Sequence, residues 1–354
     1  MSTSSKPRIG IIGGGAIANS HVEGLRASGC EVVAVADPFQ AARDKMVEKY
    51  QLKAYATLAE MVKAEKLDAV SVCAPNALHA PLTIEALRAG LHVLCEKPPA
   101  TALKDAVAMR DAGRAAGKTL MMGFNQRFEA PAQQVDRMRK SGVFGEIYHA
   151  KAAWVRRRGI PGMGGWFTTK AMSGGGPAYD IGIHVIDRAW FAMGRPQPVA
   201  VSAVTYAKFG NLQTYVCEGM WAGPRKLGGT CDTEDFAAAL VRFANGASMQ
   251  IEVSWAANRA DEPPKSMIMG DKAGAYWEGD QVTIFGEQDN AITTTQIGFD
   301  REIYDNRFQH FAKVLRGEVQ CSCTGDDGVQ IQAILDAIYE SSAQKREVQV
   351  TIPA

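Results

Sequence analysis

The segment Arg8-Ile-Gly-Ile-Ile-Gly-Gly-Gly-Ala-Ile-Ala18 constrains this chain more than any other. The apolar run Ile9 to Ile12 fits a buried strand. Gly13 and Gly15 follow at once, and a helical pattern then runs from Ala16 to Ala27. A strand, a glycine turn and a helix in this order point backbone N–H groups at a helix N-terminus toward an anion. Gly13, Gly15, Ala16 and Ile17 are the expected contacts to a pyrophosphate. Ala18 holds the third position of the G-x-G-x-x-G/A pattern, which allows it. Taken alone, the turn also fits an ordinary strand-to-helix junction. The next β-like run, Glu31 to Ala36, ends in Asp37, where an acid accepts hydrogen bonds from the adenine-ribose hydroxyls and repels a 2′-phosphate. Pro38 and Phe39 follow where a phosphate clamp would carry arginine, although Arg43 lies one helical turn on and could still meet a phosphate. The expected ligand is a dinucleotide, NAD rather than NADP.

The chain has 354 residues, enough for two domains with ample cores. A formal net charge of +1 gives no reason to expect a nucleic-acid partner. The polar opening Met1-Ser-Thr-Ser-Ser-Lys-Pro is no signal-peptide core, and no apolar run is long enough to span a bilayer. Seven cysteines are an odd number, and Cys73 and Cys95 fall in apolar runs, so they read as reduced thiols in a cytoplasmic protein. Cys321-Ser-Cys323 lacks the spacing of a zinc site, and no metal is expected.

The first third alternates strands and helices. Helices are expected from Asp37 to about Tyr50, from Thr57, over about Pro81 to Ala89, and over about Ala102 to Ala116. Strands are expected at Asp68 to Cys73, Leu91 to Cys95 and Thr119 to Met122. This alternation predicts a doubly wound parallel sheet with right-handed crossovers. The rhythm changes after Phe124, which places a dinucleotide-binding domain at 1–124 and a second domain at 125–354. A helix at about Pro131 to Lys140 leads into a long strand candidate, Gly145 to Val155. Further β-rich runs are Val199 to Tyr206, Asp235 to Phe243, Ala247 to Trp255, Ser266 to Met269 and Ala275 to Glu278. Asn245-Gly246 is a two-residue hairpin signal. The second domain is therefore expected to be α+β with a mostly antiparallel sheet. Helices are expected near Asp180 to Met193 and Glu302 to Arg316, with a last one over Asp326 to Lys345 that packs across the domains.

Ligands of such sheets bind outside the carboxyl ends of the strands. Asp37, Pro75-Asn76 with His79, Glu96-Lys97-Pro98 and Asn125-Gln126-Arg127 all fall there and describe the rim of one crevice. Lys97, held stiffly before Pro98, can polarise a substrate oxygen. It could equally pair with Glu96. Downstream, Asp180 and His184 are four apart on a helix and share a face, with Asp187 further along it. A carboxylate one turn from a histidine can orient the imidazole as it takes a proton from a hydroxyl. A satisfied core histidine is the plainer alternative, and the glycine-rich entry Gly174 to Gly176 tips the balance toward catalysis. Arg156-Arg157-Arg158 could bind an anion or polyol, or simply be a solvated charge run. Trp154, Trp166 and Phe167 could stack on a sugar ring or fill a core.

Taken together, Gly13-Gly-Gly-Ala-Ile-Ala18 with His21, Pro75-Asn76 with His79, Glu96-Lys97-Pro98 and Asp180-Ile-Gly-Ile-His184-Val-Ile-Asp187 resemble the glucose–fructose oxidoreductase/inositol dehydrogenase (Gfo/Idh/MocA) family of NAD(P)-dependent sugar and polyol oxidoreductases. Asp336 to Ser342 also resembles family sequence. The resemblance implies a Rossmann domain followed by an open-faced sheet that builds a homo-oligomer, a dimer or tetramer. It implies catalytic Lys97, a proton-accepting His184, and Asp180 placing substrate and histidine. Glu96 would lie near the nicotinamide ribose, and Pro75 and Asn76 would line the cofactor. From the rim and the aromatic and arginine readings above, His79 and Gln126 are expected at the cofactor, and Arg127, Trp154, Arg156 and Trp166 at the substrate. Pro99 departs from the large aliphatic residue many members carry and could reshape the space behind the lysine. The implied activity is reversible oxidation of a secondary hydroxyl on a sugar, glycoside or cyclitol. Three alternatives stay open: a glycoside hydrolase using transient C3 oxidation, a sugar–sugar oxidoreductase with retained cofactor, and a cofactor-binding regulator without catalysis, against which Lys97, Asp180 and His184 together argue. The sugar itself depends on segments 154–170 and 215–231.

Overall fold

A computed structural model describes residues 6–210, 215–216 and 225–353. The chain forms two units, Met1–Phe124 with Asp305–Val329, and Asn125–Tyr304 with Gln330–Ala354.

The first unit runs β1 (Arg8–Ile12), α1 (Ala16–Ala27), β2 (Glu31–Ala36), α2 (Gln40–Tyr50), β3 (Lys53–Tyr55), α3 (Leu58–Ala64), β4 (Ala69–Val72), α4 (His79–Arg88), β5 (His92–Cys95), α5 (Leu103–Ala116) and β6 (Leu120–Met122). Its six strands lie in the order β3-β2-β1-β4-β5-β6, all parallel. This is the doubly wound order with its switch point beside β1. Val70, Val72, Val93 and Leu94 are fully buried, which is why these strands read as continuous apolar runs. Ile12 pairs with both Ala36 and Val72, so the loops that begin at Gly13, Asp37 and Cys73 leave the sheet at one edge.

The second unit continues with α6 (Ala130–Lys140), β7 (Ile147–Val155), α7 (Lys170–Ser173), α8 (Ile183–Ala192), β8 (Pro198–Tyr206), β9 (Phe236–Phe243), β10 (Ser248–Ser254), β11 (Glu262–Gly270), β12 (Ala273–Glu278), β13 (Gln281–Gln288) and β14 (Ala291–Ile297). The chain then forms α9 (Arg307–Leu315), α10 (Gly325–Gln344) and β15 (Val348–Gln349). The nine-stranded sheet has the order β14-β13-β12-β11-β7-β10-β9-β8-β15. Every neighbouring pair is antiparallel except β7 and β10. The Asn245-Gly246 hairpin is present, with Gly246 at φ +84°. One face of the sheet is covered by α8, which packs on β7 and β11 and buries every residue except His184.

Some elements depart from the sequence expectation. The β13–β14 hairpin carries Thr, Gln and Glu on its exposed face and turns through Asp289 and Asn290, both at positive φ. β11 starts earlier than expected, and its ladder slips between Glu262 and Lys265, where Pro263 and Pro264 cannot donate. The helix expected from Glu302 begins only at Arg307, behind a capping box of Asn306 and Gln309.

Candidate active site

In the first unit, Gly13 sits at φ +95°, and a Cβ there would lie 2.8 Å from the Cys73 carbonyl oxygen. Only glycine fits this backbone and this close approach. Around Gly15 a Cβ would meet nothing within 4 Å, so the turn faces open space. Gly15 caps α1 without any side-chain cap, and the first turn holds no acid. The N–H groups of that turn therefore suit the pyrophosphate of a dinucleotide. The Asp37 carboxylate, beside the turn, accepts from Gly14 N–H and Phe39 N–H, both at 2.8 Å. The acid thus braces the glycine turn while keeping lone pairs for ribose hydroxyls. Phe39 itself is 73% exposed. The Arg43 guanidinium donates to the Asp37 carbonyl oxygen at 2.5 Å and to the Gln40 side chain.

Pro75 leads into a short 3-10 turn, Asn76–Leu78, and Asn76 is buried. His79 is also buried, with its ring nitrogens on the carbonyl oxygens of Pro98 (2.6 Å) and Ala74 (2.8 Å). It ties the loop after β4 to the loop after β5, where a direct cofactor contact was expected. Burial lowers its pKa, against the pull of both carbonyls. Glu96 is buried, and its Oε2 accepts the Lys97 backbone N–H at 3.1 Å. The Lys97 side chain is half-buried. Pro99 is buried near Gly328, where a Cβ would come 3.4 Å from the proline ring.

The second unit gathers a separate cluster. Asp180 lies on a π turn, Ala178–Gly182, that runs straight into α8. Such turns put a side chain off the regular helical spacing and recur at functional sites. The Trp255 indole N–H, from the end of β10, donates to Asp180 Oδ2 at 3.0 Å. His184 opens α8 half-buried, with the Trp154 ring 6.3 Å from its own. The Arg156 guanidinium lies 4.9 Å over Trp154. Burial lowers the Arg156 pKa, while the Asp180 and Asp261 carboxylates raise it. Trp154, Arg156, Asp180, His184 and Trp255 thus form one group. Buried Glu234 fixes the entry to the π turn by accepting from Gly176 N–H (2.9 Å), Ala178 N–H (3.3 Å) and the Tyr339 hydroxyl (2.6 Å).

Arg127 and Asp187 face each other. Arg127 is 1% exposed and donates through Nε (3.0 Å) and Nη2 to Asp187, so its guanidinium braces α8 and does not face a substrate. Asp187 is fully buried as the acceptor of that guanidinium. Trp166 stacks on Phe167 at 3.8 Å. Gln126 is buried, and its Oε1 has no hydrogen-bond partner among the described residues. Of the arginine run, Arg157 is exposed, and Arg158 donates to Asn258 and lies 4.8 Å over Phe209. The expected specificity segment 215–231 falls partly at 217–224, outside the described residues.

Sequence reasoning did not name Trp255 or Glu234. Trp255 ends a recognised strand in an apolar context, and nothing local marks its N–H as a partner for Asp180.

Comparison with known proteins matches these features. Residues 7–124 fit the model of an oxidoreductase family with an NAD-binding Rossmann fold, and residues 132–276 fit a GFO/IDH/MocA C-terminal domain. D-glucoside 3-dehydrogenase of Escherichia coli (strain K12) is 34% identical over 357 residues, covering 98% of this chain and 99% of that protein. Inositol 2-dehydrogenase of Rhizobium meliloti (strain 1021) is 26% identical, covering 97% of this chain and 99% of its own length. A solved levoglucosan dehydrogenase in complex with NADH and levoglucosan superposes with a TM-score of 0.82 at 22% identity, covering 98% of this chain and all of that one, and shares the fold. The family match and the sugar-dehydrogenase relative make the chain an NAD-binding oxidoreductase of the sugar-dehydrogenase type. The chain belongs to the Gfo/Idh/MocA family.

Proposed function

We propose that the protein oxidises a secondary hydroxyl of a pyranoside, with NAD as the partner of the exchange. The cluster of Asp180, Trp255, His184 and Trp154 carries this reading: an anchored carboxylate, one turn from a half-buried imidazole, beside an aromatic face. Bound NAD supplies the electron-pair acceptor at its nicotinamide ring. His184 takes the hydroxyl proton as general base. Asp180 holds the histidine and a sugar hydroxyl in register. The Lys97 ammonium steadies the negative charge that grows on the substrate oxygen. Trp154 and Arg156 form the wall against which the sugar ring packs. Asp37, with its carboxylate directed at the glycine turn, favours NAD over NADP. The likeness to D-glucoside 3-dehydrogenase makes a D-glucoside, oxidised at C3, the first substrate to test.

We further propose a cytoplasmic homo-oligomer built on the nine-stranded sheet. Six described cysteines carry free thiols, and exposed Tyr148, Val204, Tyr206 and Phe285 lie on its strands.

The deciding experiment follows NADH formation with NAD and a panel of glucosides, aldoses and inositols. A signal with glucosides that falls at least about 100-fold in Lys97→Ala supports the proposal. Sugar release without NADH from a protein that holds NAD would replace it with the hydrolase reading. Reduction of a second sugar without free NADH would replace it with sugar–sugar exchange. Light scattering of the purified protein at monomer mass would remove the oligomer.

A further inference from the structure

Glu96 sits at the centre of a buried network that no reacting group explains. Its Oε1 accepts from His21 Nε2 at 2.7 Å and from Arg307 Nη1, and its Oε2 accepts from the Lys97 backbone N–H at 3.1 Å. His21 is fully buried, and its Nδ1 meets the Ser71 hydroxyl at 2.5 Å. An ionised carboxylate only accepts, so His21 carries a proton on Nε2. Its Nδ1 accepts a hydrogen bond from the Ser71 hydroxyl in the neutral imidazole and would donate to it in the charged one, the hydroxyl then turning to the Leu94 carbonyl oxygen at 3.4 Å. Burial favours the neutral form. Burial lowers the His21 pKa, and nearby Arg307 lowers it further, against the pull of Glu96. Burial alone would raise the Glu96 pKa, but Arg307, His21 and Lys97 outweigh it and hold the carboxyl well below its usual range. Arg307 is thus a permanently charged cation in direct contact with the buried carboxylate. The same Nη1 donates to the Gly123 carbonyl oxygen at 3.1 Å, so one guanidinium joins the ends of β5 and β6. The Phe308 ring closes the site edge-on to His21 at 5.0 Å. The other titratable groups that feel Glu96 are the thiols of Cys73 and Cys95 and the imidazole of His79.

A buried carboxylate without a counter-charge is costly, and it either takes a proton or draws one onto a neighbour. Here the neighbour is His21. Once Glu96 is protonated or displaced, its grip on the Lys97 backbone N–H is weakened. We propose that Arg307 is a positioning residue for Lys97, acting through Glu96. This rests on the reading that Lys97 serves the reaction.

Two measurements test it. The first is nitrogen-15 NMR of histidine-labelled wild-type protein, with His21 assigned through His21→Asn. His21 should remain a neutral Nε2–H tautomer from about pH 6.5 to 9. A charged His21 at pH 7 would overturn the inference, and no variant has to fold for that result. The second is the pH–rate profile of Arg307→Gln beside Arg307→Lys. Arg307→Gln should lose about ten-fold in kcat at pH 8, with KM for NAD within about two-fold. It should recover part of that loss near pH 6, as His21 takes a proton and restores a cation beside Glu96. Arg307→Lys should stay within about three-fold of wild type. A wild-type kcat in Arg307→Gln, or an equal loss at every pH with KM rising in step, would show a merely structural side chain. If no sugar turns over, the reading of Lys97 fails, while titration of His21 in Arg307→Gln still decides whether Arg307 sets the state of Glu96.

Discussion

At the scale of single residues, the candidate site depends on how firmly its carboxylates are held. Asp180 is buried, and the Trp255 indole N–H fixes one of its oxygens. A hydrogen bond to an ionised group contributes about 1.5–3 kcal/mol and also sets direction. Trp255→Phe removes the donor and keeps most of the ring. If Asp180 places substrate and histidine, kcat should fall about ten-fold while KM for NAD stays within about two-fold. Steady-state kinetics on the active glucoside checks this. Unchanged kcat would assign the indole to packing alone. Arg127 and Asp37 show how far residue type misleads or informs. Both lie at strand-end positions that suggest ligand contact, yet Arg127 faces a buried partner and Asp37 faces the glycine turn. Charge and sequence position are the same kind of clue in both cases, and only the partner separates brace from contact.

At the scale of elements, α9 is aimed by a glycine. Gly24 of α1 lies under the Phe308 ring, and a Cβ there would come within 2.1 Å of it. Helix α1 can approach α9 this closely only without a side chain at that point. Gly24→Ala should displace Phe308, cost about 1–3 kcal/mol in stability, and lower kcat by loosening Arg307 beside it. Urea denaturation and kinetics on the same preparation check both parts, and a fully wild-type variant would show that the contact relaxes freely. Elements whose signal is local were legible in the sequence. Strands β1, β2, β4 and β5 are buried apolar runs, and α1 follows its glycine turn. Strands β13 and β14 escaped because their exposed faces carry Thr, Gln and Glu and their turn is Asp-Asn, a weaker signal than Asn-Gly. The π turn at Asp180 escaped because periodicity assumes regular helical spacing. The bond from Arg307 to Glu96 spans 211 residues and leaves no local trace.

At the scale of the whole molecule, buried titratable groups set a pH window for the fold. Burial is the leading cause of a lowered pKa at His21, His79, His92, His149 and His310. Below 6.5 the unfolded chain therefore binds protons that the folded chain refuses. Their stabilising effect is complete above about 6.5 and is lost as pH falls toward the folded values. For His21 and His79, which are fully enclosed, the slope is about 1.4 kcal/mol per pH unit each over that range. On the alkaline side, burial raises the Cys30 thiol to about 11 and the Cys95 thiol to about 12. Their contribution is complete below about 9 and is lost as pH rises through those values. Glu234 works against the histidines, since burial raises its pKa and its ionised form is disfavoured as pH climbs past 4.5. The melting temperature should therefore be flat between about pH 7 and 9 and should fall below about 6.5. Calorimetry at pH 6 in two buffers of different ionisation enthalpy should show net proton uptake on unfolding. Zero uptake or release there would mean that the histidines are already charged in the fold. Inside the flat window the folded and unfolded chains bind equal numbers of protons, so a limb of the rate profile between pH 7 and 9 does not come from loss of the fold.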